Sequence, residues 1–251
     1  MIDFSGKVAL VTGGARDIGR AVSLGLARQG ASVAVNYFDN PQDANETVQF
    51  IMKAGGKASA IQGDVTKPQD VKRVVDSTVQ LFGPRIDVLI HVAGGLVARK
   101  KMDEMDEGFW DTVLDLNLKS AFVVCKAALP HMSDGGSIVM FTSQAARDGG
   151  GPGAIAYATA KGGILTFTRG LAKELGPRKI RVNAVSPGMI NTTFHNTFTK
   201  PEVRQRVAGM TPLGREGEAP EVANLVVFLA SEAASFINGE AVEINGGIFF
   251  A

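Results

Sequence analysis

Residues 8–19 read VALVTGGARDIG. Four apolar residues and a β-branched threonine run without a polar break, two glycines follow, and Ile18-Gly19 open an amphipathic stretch that ends at Gly30. An apolar run without alternation predicts a strand covered on both faces, as in a parallel sheet. Gly13 allows a tight turn, and Gly19 lets the following helix pack closely on the strand. The free N–H groups and positive dipole end of that helix suit a pyrophosphate. Glycine-rich strand-to-helix turns are common, so the loop alone leaves the dinucleotide reading at even odds. Asp17 is the anomaly, because a carboxylate aimed at the pyrophosphate would repel it. It is expected to face solvent or cap the helix N-terminus instead, and is left out of the phosphate contacts.

The same alternation continues outward from this stretch. SVAVNY, KASAIQGD, IDVLIHVAG, GSIVMFTS, KIRVNAVSPG and EAVEING read as strands. Between them lie helical stretches, among them PQDANETVQFIMKAGG and KPQDVKRVVDSTVQLFG, a long region from Asp106 to Met132, Gly153 to Leu175, and Pro220 to Ser231. Buried strands alternating with helices predict an α/β single-domain Rossmann fold, a doubly wound parallel sheet of about seven strands with helices on both faces. Residues 1–251 read as one dinucleotide-binding catalytic domain, with a helical substrate lid at about 189–212. Neither a linker nor a repeat interrupts the βα alternation.

Composition narrows the class. Hydrophobic residues make up 45% and charged residues 20% of the 251, enough for a large core. Lys plus Arg number 26 against 25 acids, so a net charge of +1 gives no bias toward nucleic acid or an anionic membrane. The single cysteine, Cys125, excludes an intrachain disulfide and fits a reducing compartment. MIDFSGKVALV lacks the pattern of a signal peptide, and no apolar run is long enough for a membrane span. The expectation is a cytoplasmic protein with no metal, nucleic-acid or membrane partner.

A second stretch, YATAK, places Tyr157 and Lys161 four residues apart on one helix face. An ammonium near a phenol lowers its pKa, and such a tyrosine can give a proton to a carbonyl oxygen. Tyr-x-x-x-Lys is frequent on solvated helix faces, so the pair needs support. Ser143 closes GSIVMFTS, where a hydroxyl at a strand's C-terminal edge can stabilise a developing alkoxide. Asn117 lies inside a helical run, where asparagine is unfavourable, and predicts a local kink or a bound water.

TGGARDIG resembles the TGxxxGIG loop of the short-chain dehydrogenase/reductase family, with Asp17 in place of the middle glycine. Asn117, Ser143, Tyr157 and Lys161 match the family's tetrad. The resemblance runs from about Lys7 to Gly247 and falls in the 3-oxoacyl-carrier-protein reductase branch. It implies that Tyr157 is the acid/base, Ser143 anchors the carbonyl, Lys161 holds the nicotinamide ribose, and Asn117 supports a proton-relay water. It implies a cofactor lined by Gly13, Arg16, Ile18, Gly19, Asn36, Asp64, Val65, Ala93, Gly94, Tyr157, Lys161, Pro187, Gly188, Ile190 and Thr192. Asp64 in GDV resembles an adenine-side acid, with a turn aspartate as the plain alternative. HVAGG replaces the family's NNAG, and His91 is expected to make a structural hydrogen bond.

Asn36 stands where an aspartate would bind the ribose 2′-OH of NAD, and the planar fork of Arg16 suits a 2′-phosphate. NADP(H) is therefore the preferred cofactor, with NAD(H) possible. The variable wall holds Gly95, Arg147, Met189 and His195 as candidate substrate contacts, beside further cations such as Arg99, Lys100 and Lys200. A polar, partly cationic wall leans the substrate toward a sugar- or uronate-derived keto acid, with a 3-oxoacyl thioester as the alternative. Family members are commonly tetramers, and the apolar end INGGIFFA fits burial against another subunit of a homotetramer or docking on its own core. A catalytically inactive dinucleotide sensor and a methyltransferase are the competing classes, and neither requires the Ser–Tyr–Lys set.

Overall fold

The computed structural model describes residues 2–250. Its strands are β1 (Val8–Thr12), β2 (Ser32–Tyr37), β3 (Lys57–Gln62), β4 (Ile86–His91), β5 (Met132–Phe141), β6 (Arg181–Pro187), β7 (Ile190–Asn191), β8 (Gly217–Glu218) and β9 (Ala241–Ile244). Its helices are α1 (Asp17–Arg28), α2 (Pro41–Lys53), α3 (Pro68–Phe82), α4 (Glu107–Leu114), α5 (Ser120–Ala128), α6 (Ala145–Asp148), α7 (Ile155–Leu175), α8 (Thr193–Phe198), α9 (Pro201–Met210) and α10 (Ala219–Ala230). Seven strands form one parallel sheet in the order β3-β2-β1-β4-β5-β6-β9. The two-residue strands β7 and β8 pair apart from it, a feature the hydrophobic pattern does not announce.

The unbroken apolar strands are explained by two cores. Ala9 and Val11 of β1, Val88 and Ile90 of β4, and Val139 and Phe141 of β5 point to one face, against Val22 and Leu26 of α1 and Val222 and Leu229 of α10. Leu10, Leu89, Ile138 and Met140 point to the other, against Val74 of α3, Val124 of α5, and Ile164 and Leu171 of α7. Period-two alternation thus serves two apolar layers at once.

The chain runs outward from β1 to β3, then crosses back to β4 on the other side of β1. That reversal opens a crevice at the C-terminal ends of β1 and β4, where open α/β sheets bind ligands. The long helical region is broken as Asn117 predicts: Asp115–Lys119 forms a π-helical turn between α4 and α5. At the C-terminus Phe250 is 84% exposed, so it is not docked on its own core. No helix among the described residues is long and apolar enough to cross a membrane.

Candidate active site

The crevice is built from glycines that leave no room for a side chain. A Cβ on Gly19 would lie 1.9 Å from the Gly13 carbonyl oxygen, and one on Gly13 would meet the Ala93 nitrogen at 3.0 Å. Gly13 also takes a φ of 64°, in the left-handed region. The loops after β1 and β4 therefore touch, and Val92 N–H donates to the Thr12 carbonyl at 3.2 Å. Asp17, Ile18 and Gly19 head α1, where N–H groups lack intrahelical acceptors. A bare glycine floor beside free donors fits a pyrophosphate. Gly188 continues this tight packing, since a Cβ there would meet Asn245 at 2.7 Å.

Four side chains meet beside this cradle. Lys161 is buried on α7, and its Nζ donates to the Phe141 carbonyl at 2.9 Å and stands 5.6 Å from the centre of the Tyr157 ring. A Cβ on Gly94 would touch both Asn117 Oδ1, at 2.8 Å, and Lys161 Nζ, at 3.1 Å. The Asn117 carboxamide clasps the backbone of Gly95: Nδ2 donates to its carbonyl at 2.7 Å, and its N–H donates to Oδ1 at 3.0 Å. The second Asn117 amide hydrogen goes to Val113 O at 2.9 Å. Both amide hydrogens are thus committed to protein, and Asn117 holds the loop after β4 in place.

Burial sets the electrostatics. It pushes the Lys161 ammonium down to about 8. It raises the Tyr157 phenol, against a smaller opposing effect of the hydrogen bond shared with Ser143. The net shift of the phenol is thus opposite to the lowering expected from Lys161. The tyrosine is half-buried, and the lysine nitrogen is turned to a backbone carbonyl, so desolvation outweighs the neighbouring charge.

His91 is buried and neutral, pushed down to about 3 first by burial and then by the charge of Lys161. Ser120 Oγ donates to Leu116 O at 2.6 Å, so it accepts from His91 Nε2 at 3.1 Å. His91 Nδ1 then accepts from the Thr12 hydroxyl at 2.8 Å. This chain assigns the tautomer and links the end of β1 to the π-helical turn that carries Asn117. The structural role expected for His91 is what its geometry provides.

Two readings of the cofactor end are corrected, and for Asp64 the turn alternative is present. Asp17 does not cap α1: Arg16 is the N-cap and makes no side-chain cap bond. Asp17 instead sits at φ 49°, and its Oδ1 accepts from Thr193 N at 3.1 Å and Thr193 Oγ1 at 3.2 Å, 176 residues away. Asn36 is no ribose contact, because it is buried under the glycine loop. Its Nδ2 donates to Ile61 O and Gly63 O at 3.2 and 3.1 Å, and its Oδ1 accepts from Gly13 N at 3.4 Å. Asp64 is first a turn residue, its Oδ1 accepting from Thr66 N and Oγ1 while Oδ2 pairs with Lys67 at 3.4 Å.

The remaining cofactor-end residues divide by exposure. Arg16 stays exposed at the cradle's rim, 3.9 Å from Asp17. Val65 and Ile190 bury their side chains in the two cores, Ile18 and Ala93 pack against them, and Thr192 Oγ1 donates to Ile190 O at 3.0 Å.

The wall expected to be cationic is largely tied up within the protein. Arg147 pairs with Glu243 at 3.2 Å. Arg99 donates to the carbonyls of Phe198 and Pro152, both at 3.0 Å, and Lys100 pairs with Asp106. His195 accepts or donates at Thr199 Oγ1, and burial above all holds it down to about 4, so it is uncharged at neutral pH. Met189 gives its carbonyl to Gly217 N. What stands over the site is aromatic: the Phe194 ring lies 5.9 Å from Tyr157, 5.3 Å from Phe198 and 5.0 Å from His195. The candidate contacts taken from the sequence include His195 but neither Phe194 nor Phe198. Their four-residue spacing, one face of a helix, was the available signal.

A doubly wound sheet with a glycine cradle at its switch point, beside a clustered Ser–Tyr–Lys set, is the arrangement of a dinucleotide-dependent oxidoreductase. Comparison with known proteins agrees. A family model described as enoyl-(acyl carrier protein) reductase matches residues 13–248. A short-chain dehydrogenase/reductase of Pestalotiopsis microspora is 37% identical over 253 residues, covering 96% of this chain and 95% of its own. A hydroxynaphthalene reductase-like protein of Metarhizium brunneum is 36% identical over 255 residues, covering 97% and 95%. A blue fluorescent protein from a metagenomic library, solved in complex with NADPH, superposes with a TM-score of 0.92 at 33% identity, covering 99% of this chain and all of the other. The chain belongs to the short-chain dehydrogenase/reductase family, whose members are NAD(P)(H)-dependent oxidoreductases.

Proposed function

We propose that the protein reduces the carbonyl of an apolar, ring-bearing ketone to an alcohol, or runs the reverse reaction, with NADP(H) preferred over NAD(H). The observation that carries this reading is the gathering of Ser143, Lys161 and the Phe194 ring around Tyr157. When bound, the nicotinamide supplies the hydride. Gly13, Ile18, Gly19, Ala93, Gly94, Pro187, Gly188 and Thr192 are the residues that would hold the dinucleotide. Ser143 donates a hydrogen bond to the carbonyl oxygen, and Tyr157 gives that oxygen its phenolic proton. A phenol raised by burial is protonated at neutral pH, which suits it to act as the acid in reduction. Lys161, with an ammonium near 8, supports proton return to the phenol, while Asn117 fixes the loop that carries Gly94 and Gly95.

The substrate class rests on charge and shape. Arg147 and Lys100 are paired with carboxylates, Arg99 is turned to two backbone carbonyls and His195 is neutral, which weakens the case for a keto acid. The aromatic cover and the hydroxynaphthalene named for one relative both support a flat apolar ketone. The exposed guanidinium of Arg16 and the NADPH of one structural neighbour support NADP(H).

The test is a panel of ring ketones, sugar-derived keto acids and acetoacetyl thioesters, followed by consumption of NADPH and NADH. Ring ketones with NADPH are expected to react fastest, and a preference for keto acids would overturn the substrate assignment. Tyr157→Phe is expected to lower turnover by about a thousandfold, within the range of general acid catalysis, while NADPH fluorescence titration shows unchanged binding. Turnover that survives the substitution would refute the mechanism.

A further inference from the structure

Asp17 combines two costs, with only a long, exposed pairing to Arg16 as local return. It is a non-glycine residue at φ 49°, a conformation disfavoured by its Cβ, and it places a carboxylate in the loop that would hold a pyrophosphate. It does not cap its own helix. Its contact is with the segment after β7, where Oδ1 accepts from both the backbone N–H and the hydroxyl of Thr193. Thr193 is the first residue of α8, and Thr192, the N-cap of that helix, makes no side-chain cap bond, its hydroxyl being turned to Ile190 O. The acceptor missing at the head of α8 is thus supplied from the glycine loop. One residue further along α8 is Phe194, the ring over Tyr157.

We propose that Asp17 is a positioning residue that latches the substrate lid to the cofactor loop, so that the loop sets the place of Phe194 over the reacting carbonyl. The proposal rests on reading residues 189–212 as the substrate lid. The far end of α8 has its own tie, from Arg99 Nε to Phe198 O at 3.0 Å, so the helix is held at both ends by loops that border the site. Thr192, one of the residues the family resemblance places along the cofactor, lies between the latch and β7. The latch therefore joins cofactor side and substrate side through one hydrogen-bonded carboxylate.

The test uses Asp17→Gly, Asp17→Asn and Thr193→Ala in the full chain. Glycine accepts the left-handed φ and keeps the loop. Asp17→Gly is expected to raise the carbonyl KM by about three- to tenfold, the range of one or two exposed charge-assisted hydrogen bonds. It is expected to quicken chymotryptic cleavage after Phe194 and Phe198, and to leave the NADPH dissociation constant unchanged or lower. Asn keeps an acceptor oxygen and should restore cleavage resistance and most of the KM. Thr193→Ala lies outside the loop and should move both readouts the same way by a smaller factor.

If chymotrypsin cleaves Asp17→Gly no faster than wild type, the latch is overturned. If Asp17→Gly weakens NADPH binding without exposing α8, Asp17 belongs to the cofactor site and the proposal fails. Faster cleavage with an unchanged carbonyl KM would refute the lid reading on which the positioning role depends.

Discussion

The two sides of the crevice are held by different forces. On the cofactor side, α1 buries Gly19, Val22, Ser23, Leu26 and Ala27 against the sheet, and the glycine loop is tied from below by the carboxamide of Asn36. On the substrate side, α8 and α9 bury no residue at all. They are held by Asp17, by Arg99, by aromatic contacts at Phe194, and by Arg204, which pairs with Glu216 and also reaches Asn191 and Asn196. Apolar burial spread over a sheet opens only with global unfolding, whereas a few polar ties open locally. The glycine cradle is pre-organised, and α8 and α9, which we propose cover the substrate, are free to move at small cost.

The largest test of this contrast is acid. His91 titrates near 6.5 unfolded and about 3 folded, so its stabilisation is complete above pH 6.5 and is lost as pH falls toward 3. At about 1.4 kcal/mol per pH unit this amounts to roughly 5 kcal/mol. Urea unfolding as a function of pH should show this slope, and His91→Asn should flatten it. An unchanged slope would mean that His91 does not hold the cofactor side.

A core deletion comes next. Leu26 is fully buried, so Leu26→Ala should lower global stability by about 2–5 kcal/mol. Hydrogen exchange should then quicken throughout the sheet, and an effect confined to 193–210 would erase the distinction between the two sides. The smallest effect on global stability belongs to Arg204→Ala. It unties α9 from Glu216 and should change the unfolding free energy by about 1–2 kcal/mol, since the paired side chains are partly buried but water reaches both charges once the pair opens. Yet it should quicken exchange in residues 193–210 and raise the carbonyl KM. A large global loss would show that the cover is part of the core.

Much of this was legible in one dimension. The strands VALVT, SVAVNY and IDVLIH appear where unbroken apolar runs predict them, and proline begins α2 and α3. Asn117 announced the π-helical turn, because a residue that competes with the backbone for hydrogen bonds marks a break in a helix. Tyr157 and Lys161 face the same way because helical period is a local property. The errors fall where partners are distant. The sequence places Asn36 toward a ribose, but the carbonyls of Ile61 in β3 and of Gly63 just beyond it direct its side chain inward. Arg147 and Arg99 suggest a cationic wall, but Glu243 and the backbone carbonyls of Phe198 and Pro152 take them up.

By itself, then, the sequence determined the doubly wound sheet, the glycine cradle and the Ser–Tyr–Lys set, since apolar period, left-handed φ and four-residue spacing act over a few residues. Only the tertiary structure decided which charges remain free, which ring covers Tyr157 and what Asp17 holds. A side chain's charge and hydrogen bonds are completed by whatever the fold brings against it. For Asp17 that is Thr193, 176 residues along the chain.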